Sequence, residues 1–237
     1  MPKNVLLNNI EHKDLRIVTT RSAQYGDDVM AAQTFPAEFR SVQAHYPIVF
    51  SKTPEGRFQP WALFGFKQGQ NLFLSNDGWD ATYVPLMVER QPFLIGAGRD
   101  GELLVHVDLE HPRVSRTEGE AVFREHGGTT DYLERINSTL LTLHEGIATT
   151  GPFVDALLEH NLLESFVFDI QLADGSQNRL SGFYTVHEER LQNLDGAALE
   201  RLHKAGYLQA IFLVIASLSN FRALIERQQK LLTTAHA

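Results

Sequence analysis

The chain has 237 residues, 43% of them apolar and 21% charged, with a formal net charge of −8. That length and composition suit a globular fold with a sizeable core, and an acidic balance without any basic stretch argues against nucleic-acid binding. No cysteine is present, which excludes disulfides, zinc–thiolate sites, iron–sulfur clusters and a thiol nucleophile.

In chain order, Met1-Pro2-Lys3-Asn4-Val5-Leu6-Leu7 lacks the apolar core of a signal peptide, so a cytoplasmic location is expected. Residues 1–34 are polar and mixed, with strand-like pieces at Val5–Leu7 and Leu15–Val18. They read as an arm over one α+β domain spanning residues 1–237. Residues 46–51 and 61–66 are short β-rich runs separated by the turn Thr53-Pro54-Glu55-Gly56. Asn71–Leu74 reads as a strand ended by the turn Ser75-Asn76-Asp77-Gly78. Residues 83–91 suit a short helix stopped by Pro92. Phe93–Ile95 and Glu102–Leu109 read as a hairpin around Arg99-Asp100-Gly101.

Thr117 and Glu120 match a capping box, which predicts a short helix stopped by Gly127-Gly128. Leu133, Ile136, Leu140, Leu143 and Ile147 form one apolar stripe, the clearest helix in the chain. Gly151-Pro152 predicts the start of a further short helix. Phe166, Phe168, Ile170 and Leu172 alternate with polar residues, and Asp174-Gly175 turns that strand into Arg179–Val186. Asp195 caps a helix ending at Gly206. From Tyr207 a last helix runs to about Lys230; its first half is apolar all round, so Ile211, Phe212, Ile215 and Leu218 are expected to be buried, while Arg222–Lys230 is amphipathic. The apolar run Tyr207–Leu218 is too short, at about 1.5 Å per residue, to cross a ~30 Å hydrocarbon core. The pattern as a whole predicts an α+β fold, with antiparallel hairpins, a helical C-terminal half and a buried C-terminal helix.

The most informative stretch holds two aromatic, proline-punctuated blocks. The first is Pro36-Ala37-Glu38-Phe39 with His45-Tyr46-Pro47-Ile48-Val49-Phe50. The second runs from Asn71-Leu72-Phe73 through Gly78-Trp79 and Tyr83-Val84-Pro85 to Glu89-Arg90-Gln91-Pro92-Phe93. With Asp108 after an apolar strand, Leu180-Ser181-Gly182-Phe183 and Ser217-Leu218-Ser219-Asn220 in the same order, these blocks resemble the SapC-like proteins over nearly the whole chain. The resemblance implies a bacterial protein associated by name with a surface layer, in a family some of whose members bear a peptide-transporter permease label. It further implies an accessory role beside oxygenase-like or halogenase-like enzymes, and it supplies no catalytic residues.

Several patterns suggest chemistry. Gly96-Ala97-Gly98-Arg99-Asp100-Gly101 matches a dinucleotide fingerprint, but a strand, Glu102–Asp108, follows it where a helix is needed, so a hairpin turn is expected. His106 and Asp108 form an H-x-D pair whose side chains share one strand face, as two ligands of an iron(II) triad do, with His144, His160 or His187 as a third. Nucleophile-elbow and P-loop patterns are absent. Glu38, Glu89 and Arg90 stand isolated among apolar residues; the carboxylates could do acid–base work if held together in a dry pocket, but an Arg90–Glu38 pair joining the two blocks is the expectation. Tyr46, Trp61, Trp79 and Tyr83 suit either a binding face or core packing.

The expected function is therefore a non-enzymatic binding or accessory protein without cofactor. It would hold a peptide, a partner enzyme or a second copy of itself through Glu38, Tyr46, Asn71, Trp79, Tyr83, Glu89 and Arg90. The alternatives are a metal-dependent, oxygenase-like enzyme using His106 and Asp108, and a surface-layer structural protein.

Overall fold

Antiparallel pairing organises the chain, which the computed structural model describes over residues 3–98, 100–171 and 177–235. The strands are β1 (Asn4–Leu6), β2 (Arg16–Ile17), β3 (Ala31–Gln33), β4 (Ile48–Lys52), β5 (Phe58–Leu63), β6 (Leu74–Ser75), β7 (Gly78–Trp79), β8 (Phe93–Ala97), β9 (Leu103–Asp108), β10 (Val114–Ser115), β11 (Glu120–Ala121), β12 (Leu163–Gln171) and β13 (Gln177–Val186). The helices are α1 (Phe39–Val42), α2 (Leu86–Glu89), α3 (Asp131–Glu159), α4 (Glu188–Gln192), α5 (Gly196–Lys204), α6 (Tyr207–Ser217) and α7 (Asn220–Ala235). The class is α+β, as the hairpin pattern predicts. The elements gather into two compact units, each assembled from separated segments: Met1–Asp27, Leu74–Trp79 and Leu86–Glu145 in unit 1, and Asp28–Phe73, Asp80–Pro85 and Gly146–Ala237 in unit 2.

Unit 1 carries the sheet β1-β9-β8 and the small sheet β10-β2-β11. Alternation along β9 sends Val105 and Val107 to the core, where Leu15, Ile17, Phe93, Val122, Leu133, Ile136 and Leu140 meet them. Residues 1–27, read as part of an arm, supply β1 and β2. The helix expected from Thr117 and Glu120 does not form. Ser115 Oγ instead accepts from the amides of Thr117 and Glu118, closing a turn between β10 and β11, and both strands pair with β2. The local hydroxyl–amide turn competes with helix initiation, and pairing of both flanking strands with β2 decides the outcome.

Unit 2 is built on a five-stranded antiparallel sheet, order β12-β13-β4-β5-β3, with α6 packed on β4 and β13. Phe153 of α3 meets Phe39, Phe50 and Tyr207 with ring centroids 5.9, 6.4 and 5.5 Å away. Phe166 and Phe168 both reach Phe221 of α7, across a register shift between them. Leu172 and the Asp174-Gly175 turn lie outside the described residues. Asn71 does not open a strand: its Oδ1 accepts from the Phe73 amide in a tight turn, and pairing begins at Leu74.

The break expected at Gly151-Pro152 is absent. α3 runs through Pro152 for 29 residues, because burial of Phe153 and Leu157 fixes the turns beyond the proline. The buried stripe of α3 continues from Leu143 to Gly146 rather than to Ile147, which is exposed. Gly146 is needed at that point, since a Cβ there would lie 2.2 Å from the Phe35 ring.

The last helix also departs from expectation. α6 buries one face only: Ala210, Ile211, Val214 and Ser217 are inside, while Phe212 is 55% exposed. An all-apolar sequence does not specify which face is covered, and the sheet selects this one. The Ser217 hydroxyl fixes the choice by accepting from the Ile48 amide at 2.9 Å and donating to the Val214 carbonyl. The apolar run Tyr207–Leu218, essentially α6, is by itself too short to span a membrane. Together with α7, the run Tyr207–Thr233 is long and apolar enough by length and composition to cross a membrane, with a third of its most apolar window buried. A core helix of a globular unit meets the same test.

These burials predict opposite outcomes at neighbouring positions. Ile211→Ala should lower stability by about 2–5 kcal/mol through cavity formation, whereas Phe212→Ala should change it by no more than about 0.5 kcal/mol. Urea unfolding followed by circular dichroism compares the two. Gly146→Ala should cost about 1–3 kcal/mol by overpacking against Phe35.

Candidate functional site

The signature blocks contribute to both units. In unit 2, Thr34 Oγ1 donates to Glu38 Oε2 at 2.6 Å and the Tyr83 hydroxyl donates to Glu38 Oε1 at 2.8 Å. Glu38 is only 4% exposed, and Tyr46, fully buried between Phe64 and Phe73, donates its hydroxyl to the Tyr83 carbonyl. Glu38, Tyr46 and Tyr83 thus form one internal polar knot, in which Tyr46 presents no surface. Asn71 is occupied in its own turn.

In unit 1, Trp79 is half-buried opposite Leu74 in the β6–β7 hairpin. Glu89 accepts from Arg21. Arg90 does not take the Glu38 carboxylate expected for it: its Nη1 donates to the Phe93 carbonyl at 2.7 Å, three residues on, across the turn that contains Pro92. Burial lowers the pKa of its guanidinium from the usual arginine value.

His106 and Asp108 lie on the face of β9 opposite the core. His106 sits in register with Leu6 of β1 and Leu94 of β8, and its ring covers Gly96, where a Cβ would lie 2.8 Å from Cε1. Asp108 Oδ1 accepts from the amides of Lys3 at 2.8 Å and Glu110 at 3.1 Å. Asp108 therefore fixes the end of β9, while His106 packs within the sheet over Gly96. Among the described residues no group of three His, Asp or Glu side chains is placed to hold a metal ion. Gly96 and Gly98 belong to the β8–β9 hairpin, and a strand follows them, as the sequence predicts.

Sequence reasoning missed the strongest charged cluster, which is in unit 1. Asp27 is completely buried and Arg113 is 1% exposed. Arg113 Nη2 binds both oxygens of Asp27, at 2.7 and 2.5 Å, while Nη1 donates to the carbonyls of Val18 and Thr20. Arg21 links Asp27 to Glu89. Asp27 and Arg113 are 86 residues apart, and no spacing rule connects them. Beside them, burial and the Arg113 charge lower the pKa of His111 from its ordinary value of 6.5. Its Nδ1 accepts from the Arg113 amide at 3.2 Å, a bond that needs the unprotonated ring nitrogen. Burial, and after it the Glu89 charge, raise the Tyr132 hydroxyl well above its ordinary value, so it stays a neutral phenol.

Among the described residues of unit 2, clefts of three kinds stand out. A polar one of about 650 Å³ is lined by His160, His187 and Arg190, and an apolar one of about 550 Å³ by Pro152, Tyr207 and Leu213. The third, about 400 Å³, lies on the five-stranded sheet between Trp61, Phe183, Ser51, Met30 and Asp28. Register places Trp61 in line with Val49 and Gln33, and Phe183 opposite Ser51. The Nε1 atom of Trp61 is buried and has no hydrogen-bond partner among the described residues. The aromatic content of the sequence signalled Trp61 as a binding or core residue, but nothing marked Phe183 as its companion.

The SapC family model matches residues 7–224. No curated protein and no solved structure matches the chain.

The Arg113–Asp27 pair and His111 give measurable consequences. Arg113→Ala strands a buried carboxylate and should cost about 3–5 kcal/mol. Arg90→Ala, which removes a single bond to a carbonyl, should cost about 1–3 kcal/mol. The lowered pKa of His111 means that the unfolded chain takes up its proton first as pH falls. The stability this residue contributes is therefore complete above about pH 6.5 and lost as pH drops through the lower folded value. Thermal melts between pH 7.5 and 5 should fall less steeply for His111→Gln than for the natural chain.

Proposed function

The chain belongs to the SapC family, and from that premise we propose that it is a non-enzymatic binding protein, an accessory to other proteins, whose ligand seats in the cleft on the five-stranded sheet. The observation that carries this reading is the pairing of two aromatic side chains, Trp61 and Phe183, in the wall of an open cleft that Ser51 and Asp28 also line. A ligand group entering between Trp61 and Phe183 covers two aromatic faces at once, which combine large contact area with specific geometry. A concave site with aromatic walls and a few convergent polar groups is the usual form of a binding pocket.

The placement of the signature residues supports binding over acid–base chemistry. Glu38, Tyr46 and Tyr83 direct their polar atoms to one another, and Glu89 to Arg21. The expected aromatic binding surface thus moves from Trp79 and Tyr83 to Trp61 and Phe183. The reading also takes α6 and α7 as core helices of unit 2. Carbonate extraction that left the full chain in the membrane fraction would contradict that part.

Selection of a displayed random-peptide library on the immobilised protein tests the site. Selected peptides should bind Trp61→Phe and Phe183→Ala at least about tenfold more weakly, a loss of roughly 1.4 kcal/mol, and bind Phe212→Ala unchanged. Peptides indifferent to both cleft substitutions would defeat the assignment. Trp61→Phe keeps an aromatic ring while shrinking this wall of the cleft, so the natural fold should persist by circular dichroism.

A further inference from the structure

The edge of the five-stranded sheet beside this cleft has a definite hydrogen-bonding state. β3 pairs with β5 in the register Ala31↔Leu63, Ala32↔Ala62 and Gln33↔Trp61. The flanking bonds, Phe64 amide to Met30 carbonyl and Thr34 amide to Pro60 carbonyl, mark residues 30 and 34 as bonded toward β5. Bonding alternates along an antiparallel ladder, so Ala32 also bonds toward β5, and the N–H and C=O of Ala31 and Gln33 point away from it. β3 is the last strand of the sheet, so these four groups have no ladder partner among the described residues. Val29, Met30 and Ala31, leading into this edge, also line the cleft that Trp61 and Phe183 form.

Two further features constrain what fits. Gln33 is the register partner of Trp61 and Ala31 that of Leu63, two residues on, so Ala31 and Gln33 share a sheet face with Trp61. A strand added outside β3 would carry the residues opposite Ala31 and Gln33 on that face, above the cleft. Asp28, at the cleft margin, is exposed and makes no hydrogen bond or ion pair among the described residues. In a chain of net charge −8, it favours a cationic guest.

We propose that the ligand of this protein is an extended, basic segment of a partner protein, which adds to β3 as a sixth strand, bonds through Ala31 and Gln33, and places a side chain against Trp61 and Phe183. The proposal rests on the cleft being the binding site and names what occupies it. Main-chain bonds supply affinity in this mode of recognition, and the cleft beside the edge supplies selectivity.

The test uses the full chain and a fluorescein-labelled peptide of alternating valine and lysine, roughly eight residues long to match a strand, followed by fluorescence anisotropy. The expected result is saturable binding, with a valine–glutamate peptide at least about fivefold weaker, a preference that Asp28→Asn reduces and added salt weakens. N-methylation of every peptide amide should weaken binding at least about tenfold. Gln33→Pro, which removes one outward N–H at an edge position where proline is tolerated, should also weaken binding while circular dichroism stays unchanged. If Gln33→Pro unfolds, the methylated peptide decides. Binding that is lost in Trp61→Phe yet indifferent to methylation and to Asp28→Asn would leave the cleft as the site and overturn strand addition. Binding indifferent to Trp61→Phe as well would overturn both. No binding of the lysine peptide, or a dimer by sedimentation that Gln33→Pro converts to monomer, would overturn the proposal, the latter by giving the edge to a second copy.

Discussion

A carboxylate with no exposed surface must be matched where it lies, and Asp27 imposes that requirement on unit 1. Arg113 meets it with both of its terminal nitrogens, one on the carboxylate and the other on two carbonyls of the segment just before it. The guanidinium thus fixes the path of residues 18–20 and the position of residue 27 together, as five fixed donors on a rigid fork allow. Arg21, held by Asp27, then reaches Glu89. Unit 2 follows the same rule with neutral partners. Glu38 receives two hydroxyls, Gln70 donates to Gln228 at 2.7 Å, and Ser217 satisfies the Ile48 amide. Apolar contact supplies most of the burial, but these pairings decide which of several apolar arrangements is adopted.

The hairpins were legible because turn residues and alternation are local signals. Val5–Leu7, Phe93–Ile95 with Glu102–Leu109, and Arg179–Val186 all lie in or beside observed strands. The stripe Leu133–Leu143 was legible for the same reason. The departures share a cause. Thr117, Pro152 and Phe212 each carry a correct local signal that a distant contact overrides: pairing with β2, burial of Phe153, and the choice of α6 face by Ser217 and Ile48.

The site was only half legible. Aromatic density flagged Trp61, but its partner Phe183 comes from a strand that meets β4 through two registered residues, a pairing no sequence window contains. Arg90 and Glu38 were rightly read as internal charges. Their partners were misassigned because a backbone carbonyl and hydroxyls can take up the hydrogen bonds of a covered charge without an opposite charge, and composition gives no sign of them.

The segmented make-up of the units bears on how the chain reaches its fold. Unit 1 needs residues from its first segment, Met1–Asp27, and from its last, Leu86–Glu145, and unit 2 needs both Asp28–Phe73 and Gly146–Ala237. Every contiguous fragment that contains all of one unit also contains segments of the other, so neither can be excised alone by trimming a terminus. During synthesis β3, β4 and β5 emerge long before β12 and β13, so the sheet acquires its outer hairpin only after the whole of α3 has been made. Pairings this distant carry a large loop-closure entropy and belong to slowly folding topologies, and the half-made sheet must wait with its β4 edge open.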